Sequence, residues 1–238
     1  MPNAKIHVVL PVLSRVADRA LDLALPAKCV GCGLEGEPIC TRCAGQLDAR
    51  LGLPPGTPIG LPADLPVGIL QLEWCAPYAA AVRRALHDLK YAGEKRLAVP
   101  LGKAIARRWA RAGAGGDVMV PVPVHAERLH KRGYDQAQLL ATVAARDLGL
   151  PMAPILERVR ATTAQFDLDR RRRATNVVGA FRVRPRPGEG WPGRPLEGRW
   201  VVLVDDVMTT GATLAACADA LTRAGAMGVS AITVARER

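Results

Sequence analysis

Two adjacent carboxylates follow an apolar run late in the chain. Val201–Val204 predicts a central strand, and Asp205 and Asp206 come directly after it. Buried charge is costly, so two acidic residues at this point call for a function. Ligands of open α/β sheets bind at the carboxyl ends of the strands, where carboxylates suit sugar hydroxyls or Mg²⁺. Because successive strand residues face opposite ways, the two carboxylates share one role only if the chain turns immediately after them.

The loop after this acidic pair has the groups that bind phosphate. Hydroxyls and unpaired backbone N–H groups at a helix N-terminus, together with the helix dipole, form a phosphate cradle. A ligand with a diol close to a phosphate, such as a ribose 5-phosphate, fits the acids and the loop together. A plain strand, threonine cap and helix would explain the threonines but not the acids. The predicted phosphate-binding residues are Thr209, Thr210, Gly211, Ala212 and Thr213.

Four of the six cysteines form two C-x2-C pairs, Cys29 with Cys32 and Cys40 with Cys43. The sequence has no secretion signal, so we expect a cytoplasmic protein in which disulfides are rare. The spacing predicts one structural Zn²⁺ with four thiolate ligands. An iron site of similar geometry and four free thiols are the alternatives. The other two cysteines, Cys75 and Cys217, are predicted to be small core residues.

The chain is strongly basic, with 33 Lys and Arg residues against 22 acidic ones and a net charge of +11. This balance favours a nucleic acid or a phosphorylated metabolite as partner. The run Arg170, Arg171, Arg172 and Arg173 is a candidate contact for phosphate or for the DNA backbone. Codon bias on a solvated face is the competing explanation. His125 and His130 have no evident orienting partner in the sequence and are expected at surface or turn positions.

Strand and helix signals alternate along most of the chain, which predicts an α/β fold with a parallel sheet covered by helices on both faces. A Pro- and Gly-rich stretch divides the chain. The predicted organisation is an N-terminal helix and zinc module at 1–52, a linker at 53–68 and a larger domain at 69–238. Predicted strands lie at 68–78, 117–124, 151–156, 179–183, 200–206 and 228–235, and helices at 12–25, 79–91, 96–112, 136–148 and 211–224. No apolar run is long enough to span a membrane.

Several stretches together resemble one known family. The segment 201–213 (VVLVDDVMTTGAT) resembles the phosphoribosyl pyrophosphate (PRPP) motif of type I phosphoribosyltransferases. With the cysteine pairs and the segments at 89–98, 121–141 and 162–181, the chain is similar to the ComF family of competence and DNA-utilisation proteins over nearly its full length. The resemblance implies a type I phosphoribosyltransferase-like domain behind a zinc finger, and a role in handling imported DNA.

The resemblance also assigns roles to residues. Asp205 and Asp206 would hold the ribose hydroxyls and Mg²⁺, and the threonine loop would hold the 5-phosphate. Lys90, Gly93 and Lys95 are candidates for the pyrophosphate loop, although the two lysines also fit a solvated helix end. The stretch 125–136 takes the place of the mobile loop that closes over such sites. There Arg128, Lys131 and Arg132 would neutralise the leaving pyrophosphate, unless they belong to a solvent-facing helix start.

Two classes of function follow. One is a PRPP-dependent glycosyltransferase, in which a nucleophile attacks the ribose C1 and pyrophosphate leaves. The other is a non-catalytic single-stranded-DNA-binding accessory protein of natural transformation, for which relatives imply a DNA translocase or helicase partner. Fold alone does not choose between them. The intact acidic pair favours phosphoribosyl binding, whereas the net charge favours nucleic acid.

Overall fold

The computed structural model describes residues 26–56, 65–112, 115–159, 179–184 and 196–237. Eight strands are found there: β1 Ala27–Lys28, β2 Glu35–Gly36, β3 Leu72–Pro77, β4 Val118–Pro121, β5 Leu156–Arg158, β6 Phe181–Val183, β7 Trp200–Met208 and β8 Gly228–Arg236. Six α-helices accompany them: α1 Thr41–Ala44, α2 Ala80–His87, α3 Ala98–Ala112, α4 Ala126–Arg132, α5 Gln136–Leu148 and α6 Ala212–Arg223.

A four-stranded sheet forms the centre of the described structure. Its strand order is β3-β8-β7-β4, and every neighbouring pair is parallel. In this register Leu203 lies opposite Ala231 on one side and Val120 on the other. Two antiparallel strand pairs, β1-β2 and β5-β6, complete the described strands. Because the strands run parallel, their carboxyl ends meet at one edge of the sheet, where ligands of such folds bind.

Helices cover both faces of this sheet, as the sequence predicts. On the first face Val202 and Val204 pack in one core with residues of α2, α3 and α5. On the second face Val201 and Leu203 pack with α6 and the β5-β6 strand pair. The alternation of β7 between two separate cores explains its unbroken apolar sequence, since each residue is buried on one side or the other. The α/β class is confirmed.

Most predicted elements form, and the differences from the sequence predictions have local causes. The α5 helix begins and ends at the predicted residues, because Asp135 caps its first turn by accepting from Gln138 N. The predicted strand 151–156 is mainly an extended segment, bridged to β4 at Met152, and β5 begins only at Leu156. β7 runs two residues past the acidic pair, to Met208, because its pairing with β8 continues that far. The predicted helix 12–25 lies outside the described residues.

The cysteine-containing segment packs on the larger domain. Ile39, Cys43 and Leu47 belong to the same core as α2 and α3, and the guanidinium of Arg84 donates to the carbonyls of Val30 and Gly31. Neither contact could be read from the cysteine spacing. Cys75 and Cys217 are 1% and 0% exposed, so their assignment to the core is confirmed.

A buried ion pair ties the start of the predicted linker to the sheet. Arg108 on α3 donates to Glu73 on β3 at 2.5 and 2.9 Å and also to the backbone carbonyls of Leu53 and Pro54. Glu73 is 0% exposed, and its other carboxylate oxygen accepts from Gly56 N at 2.6 Å. These bonds satisfy polar groups that would be costly to bury alone.

Among the described residues, no helix is long and apolar enough to cross a membrane.

Candidate functional site

The acidic pair lies where β7 leaves the core. Residues 201 and 203 face the second core and 202 and 204 the first, so alternation turns Asp205 toward α6 and Asp206 toward α5. Asp205 Oδ1 accepts from Asp206 N at 2.8 Å, and Asp206 Oδ1 accepts from Val207 N at 2.7 Å. Although the strand does not turn after them, both carboxylates line the same cavity at its end.

Lys90 is the direct partner of Asp206. Its ammonium lies 2.7 Å from Asp206 Oδ2, and the two side chains are 20% and 6% exposed. Lys90 is held there by a single π-helical turn, Asp88–Ala92, that follows α2. Burial lowers the pKa of Lys90, but the carboxylates of Asp206 and Asp205 raise it more, so the net pKa lies above its ordinary value. The lysine is therefore a fixed positive charge on the acidic pair.

The two carboxyl groups have unlike environments. Burial, and secondly the charge of Asp206, raise the pKa of Asp205 well above its ordinary range. Asp206, by contrast, has the ammonium of Lys90 beside it. Two carboxylates so close together resist double ionisation, so Asp205 holds its proton to higher pH than an exposed aspartate does. A protonated Asp205 can donate a hydrogen bond to a ligand hydroxyl while Asp206 accepts one.

The inner cavity has a volume of about 160 Å³ and is lined by both the acidic pair and several cations. Its two aspartates, three arginines and one lysine suit a ligand with both hydroxyls and phosphate oxygens. Its lining residues are Lys90, Tyr91, Val122, Pro123, Val124, His125, Arg128, Arg132, Gln136, Arg158, Asp205, Asp206 and Thr213.

A larger outer cavity of about 590 Å³ adjoins the inner one, since Lys90, Tyr91, Arg128 and Arg132 line both. The additional residues of the outer cavity are Gly93, Lys131 and Tyr134. No acidic residue lines the outer cavity among the described residues, whereas four of its seven lining residues are lysine or arginine. A polyanion is therefore better matched to the outer cavity than to the inner one.

The basic residues predicted around the site are carried by α4. The stretch predicted to be a mobile loop forms this short helix, none of whose residues is buried. Arg128 and Arg132 reach both cavities, and Lys131 reaches the outer one. The guanidinium of Arg132 also donates to Gln136 and lies 5.5 Å from the ring centroid of Tyr91. Arg128 and Arg132 thus share the inner cavity with the acidic pair.

The threonine loop is only partly in contact with this space. Thr213, in the first turn of α6, lines the inner cavity, whereas Thr209, Thr210, Gly211 and Ala212 do not line either cavity. Gly211 caps α6 in a left-handed conformation with φ 79°, and a Cβ there would lie 2.5 Å from Pro66 Cγ. Both the backbone angle and the proline require glycine at this position.

Two further predicted residues lie at or near the outer cavity. Gly93 ends the turn that carries Lys90 and lines the outer cavity. Lys95 lines neither cavity, and its ammonium lies 4.9 Å from the ring centroid of Tyr134. His125 lines the inner cavity but serves as the N-cap of α4, where Nδ1 accepts from Glu127 N at 3.4 Å. His130 lines neither cavity.

Sequence reasoning missed Arg158 and Gln136. Arg158 at the end of β5 reaches the inner cavity. Burial, and secondly the charge of Arg128, lower its pKa. No local sequence pattern marks Arg158, because the pairing of β5 with β6 is what places it beside the acidic pair. The predicted contacts Arg170, Arg171, Arg172 and Arg173 lie outside the described residues.

The contacts of the acidic pair do not favour a protein-bound Mg²⁺. Three of the four carboxyl oxygens have partners: a backbone N–H on each Oδ1 and the Lys90 ammonium on Asp206 Oδ2. Mg²⁺ usually keeps several waters and is held by one or two carboxylates plus substrate phosphates. The contacts of the acidic pair, with Lys90 beside Asp206, supply no such set of ligands on their own.

The four clustered cysteines could hold a zinc ion. The sulfurs of Cys29, Cys32, Cys40 and Cys43 all lie within 4.8 Å of one another. A Cβ on Gly31 would lie 2.5 Å from Cys43 Sγ. The turn between Cys29 and Cys32 therefore needs glycine there to bring the sulfurs together. This donor set and its closed arrangement are typical of structural zinc.

Backbone donors around Cys29 also fit this role. Cys40 N and Gly31 N donate to Cys29 Sγ at 3.3 and 3.4 Å, whereas Gly33 N donates to Cys29 O. Burial raises the pKa of Cys29, but the N–H groups of Cys40, Cys32 and Gly31 lower it to about 6. These contacts favour the thiolate, the form that binds metal.

The fold and site together define an α/β protein with a candidate binding cavity at the carboxyl edge of its parallel sheet and a cluster of four cysteines. The chain is 34% identical over 207 residues to the DNA utilization protein YhgH of Salmonella typhi, covering 80% of this chain and 87% of that protein. YhgH of Escherichia coli (strain K12) is 32% identical over 198 residues, with 79% and 83% covered. Competence protein F of Haemophilus influenzae is 37% identical over 99 residues, 41% of each chain. The chain belongs to the ComF family of these DNA utilization and competence proteins.

No family model matches the chain. A solved structure of glutamine phosphoribosylpyrophosphate amidotransferase from B. subtilis, complexed with ADP and GMP, aligns with 56% of this chain and 25% of its own, at 24% identity and a TM-score of 0.36.

Proposed function

We propose that the chain binds a phosphoribosyl group, as PRPP or as a ribose 5-phosphate, at the inner cavity and acts in DNA utilisation. One observation carries this proposal: Asp205 and Asp206 line the same cavity as Lys90, Arg128 and Arg132. Carboxyl groups are suited to the ribose hydroxyls, and the guanidinium groups are suited to phosphate. The role in DNA utilisation follows the names of the relatives.

The size of the inner cavity supports a ligand that continues outward. At about 160 Å³ it is smaller than an ordinary ligand pocket of roughly 300 to 1,000 Å³. The ribose would occupy it, and the pyrophosphate of PRPP would lie in the outer cavity against Arg128, Lys131 and Arg132. In a transfer, the bond from C1 to the pyrophosphate oxygen breaks, a nucleophile forms the new bond to C1, and these cations stabilise the charge on the departing pyrophosphate.

Metals enter the proposal only at the cysteine module. Zn²⁺ held by Cys29, Cys32, Cys40 and Cys43 would be structural, because the site has no position left for a substrate. No step at the acidic pair is assigned to Mg²⁺, since Lys90 already compensates its charge. Binding of ribose 5-phosphate is then expected to be equally tight with and without added Mg²⁺.

Single-stranded-DNA binding is the second candidate, supported by the net charge of +11. The phosphate backbone would contact basic residues, including Arg170–Arg173, and a DNA translocase or helicase is the class of partner. Such binding should weaken steeply with salt, with log K falling by about 0.7 per phosphate neutralised for each decade of salt. Cytoplasmic localisation, also proposed, is consistent with both candidates.

Isothermal titration calorimetry separates the two candidates. Purified full-length protein is titrated with ribose 5-phosphate, with PRPP and with a short unphosphorylated single-stranded oligonucleotide, each at two salt concentrations. The phosphoribosyl proposal expects saturable 1:1 binding of ribose 5-phosphate and tighter binding of PRPP, which also engages the outer cavity. Binding of the oligonucleotide alone would refute this proposal and leave the second candidate.

A further inference from the structure

Tyr91 is an aromatic residue in an unusual position. It is 68% exposed, whereas every other Phe, Trp and Tyr among the described residues is buried or half-buried. Leaving a large ring in water forgoes the free energy that burial would provide. An exposed ring beside a pocket instead offers a flat surface on which a planar ligand can stack.

The backbone around Tyr91 is firmly anchored. Leu89, two residues earlier, is 0% exposed, and its carbonyl accepts a hydrogen bond from the hydroxyl of Tyr134. Lys90 is held by its contact with Asp206. The imidazole of His87 lies 5.0 Å from the Tyr91 ring. The ring is thus presented from a turn that is anchored on both the core side and the acidic side, so little conformational freedom is lost when a ligand stacks on it.

The position of Tyr91 relates it to the site. It lines both the inner and the outer cavity, so it stands where a ligand passes from one to the other. The inner cavity holds about 160 Å³, which leaves no room beside a sugar phosphate for a further ring. A base attached to a ribose at the acidic pair must therefore lie in the outer cavity, where Tyr91 supplies the exposed ring.

We infer that Tyr91 is a stacking platform for a nucleobase, so that the site takes a nucleoside 5′-phosphate, free or at the end of a nucleic-acid strand. The inference rests on the proposed phosphoribosyl site and adds the class of group that occupies the outer cavity. The guanidinium of Arg132, which lies over the ring at 5.5 Å from its centroid, would give way to the base and contact the phosphate of the nucleotide. Base stacking on a protein aromatic is worth enough to change affinity by about fivefold or more per base.

The test is calorimetry on the full chain with three probes: ribose 5-phosphate, AMP and a 5′-phosphorylated trinucleotide. The variants are Tyr91→Ala, which removes the ring, and Tyr91→Phe, which keeps it. We expect wild type to bind AMP at least about fivefold more tightly than ribose 5-phosphate. Tyr91→Ala should lose that advantage, weakening AMP more than ribose 5-phosphate, and Tyr91→Phe should retain it.

The outcomes distinguish this inference from the proposed function. Equal AMP affinity in wild type and Tyr91→Ala, or equal loss of both ligands in Tyr91→Ala, would overturn the stacking platform. Absence of ribose 5-phosphate binding in wild type, with AMP binding that still depends on Tyr91, would overturn the phosphoribosyl site and leave the platform. Binding of neither ligand would overturn both. Tighter binding of the trinucleotide than of AMP would identify a strand end, and equal or weaker binding a free nucleotide.

Discussion

The ammonium of Lys90 and Oδ2 of Asp206, 2.7 Å apart, join the turn after α2 to the end of β7. The contact places a positive charge directly beside the buried Asp206, in a cavity that Asp205 also lines. It also links the two stretches of sequence that most resemble a phosphoribosyl site. Its strength and its consequences are open to direct measurement.

Replacing Lys90 by methionine should destabilise the protein by about 1–3 kcal/mol, because a largely buried carboxylate loses its partner. The measurement is the free energy of unfolding in urea for Lys90→Met, Asp206→Asn and the double variant. A coupling energy of at least about 0.5 kcal/mol between the two residues is expected. The matched control is Lys95→Met, outside both cavities, for which the loss should be smaller. Additive effects of the two site substitutions would show that no such ion pair exists.

The raised pKa of Asp205 makes stability depend on pH in a defined direction. Burial and the charge of Asp206 keep the folded pKa above that of the unfolded chain, so the native state binds more protons. Stability relative to Asp205→Asn should therefore fall as pH rises from about 4, the unfolded value, through the folded pKa. Below about pH 4, where Asp205 is protonated in both states, the difference should become constant.

Urea unfolding of wild type and Asp205→Asn between pH 4 and pH 8 measures this difference, with Asp147→Asn as a control on an exposed helix end. A stability difference that stays constant across the range, or one that favours wild type increasingly as pH rises, would rule out an elevated pKa at Asp205.

Each of the four clustered cysteines should be required for one zinc per chain. Cys29→Ser or Cys43→Ser should lose the metal, because serine is a poor ligand for a tetrathiolate site. Cys75→Ser, a cysteine of the main core, should retain it. Elemental analysis of the purified proteins gives the answer. Wild-type protein without zinc, or with iron in its place, would contradict the zinc assignment.

Two adjacent arginines of α3 should differ sharply in their contribution to stability. Arg108 is 1% exposed and pairs with buried Glu73, whereas Arg107 pairs with Asp48 with both side chains well exposed. Arg108→Met should cost about 3–5 kcal/mol of unfolding free energy, and Arg107→Met less than about 1 kcal/mol. Chemical denaturation compares them directly. Similar losses for both would mean that the Glu73 pair does not anchor the segment 50–56.

The sequence predicts what short-range patterns determine. The apolar run 201–204 predicts β7, the helix signal over 136–148 predicts α5, and the cysteine spacing predicts the clustered sulfurs. The acidic pair is predicted to be at the ligand edge because the carboxyl end of any parallel strand lies there.

Contacts between distant segments have no such signature. In the sequence Lys90 is an ordinary lysine near a helix end, and only the folded sheet places Asp206 beside it. Arg158 reaches the inner cavity because β5 pairs with β6. A glutamate is unexpected in a buried strand, and only the structure shows that Arg108 pairs with Glu73. The threonine loop was predicted as a unit, but helix geometry directs only Thr213 of its five residues into the inner cavity.

The central claim is that Asp205 and Asp206 hold the ribose of a phosphoribosyl ligand. The most direct measurement is the affinity for ribose 5-phosphate, by calorimetry, of wild type, of Asp205→Asn with Asp206→Asn, and of Asp219→Asn as an exposed control, with circular dichroism to verify folding. Loss of hydrogen bonds to charged groups should weaken binding by the double variant at least about tenfold and leave the control unchanged. A folded double variant that binds ribose 5-phosphate as tightly as wild type would contradict the claim.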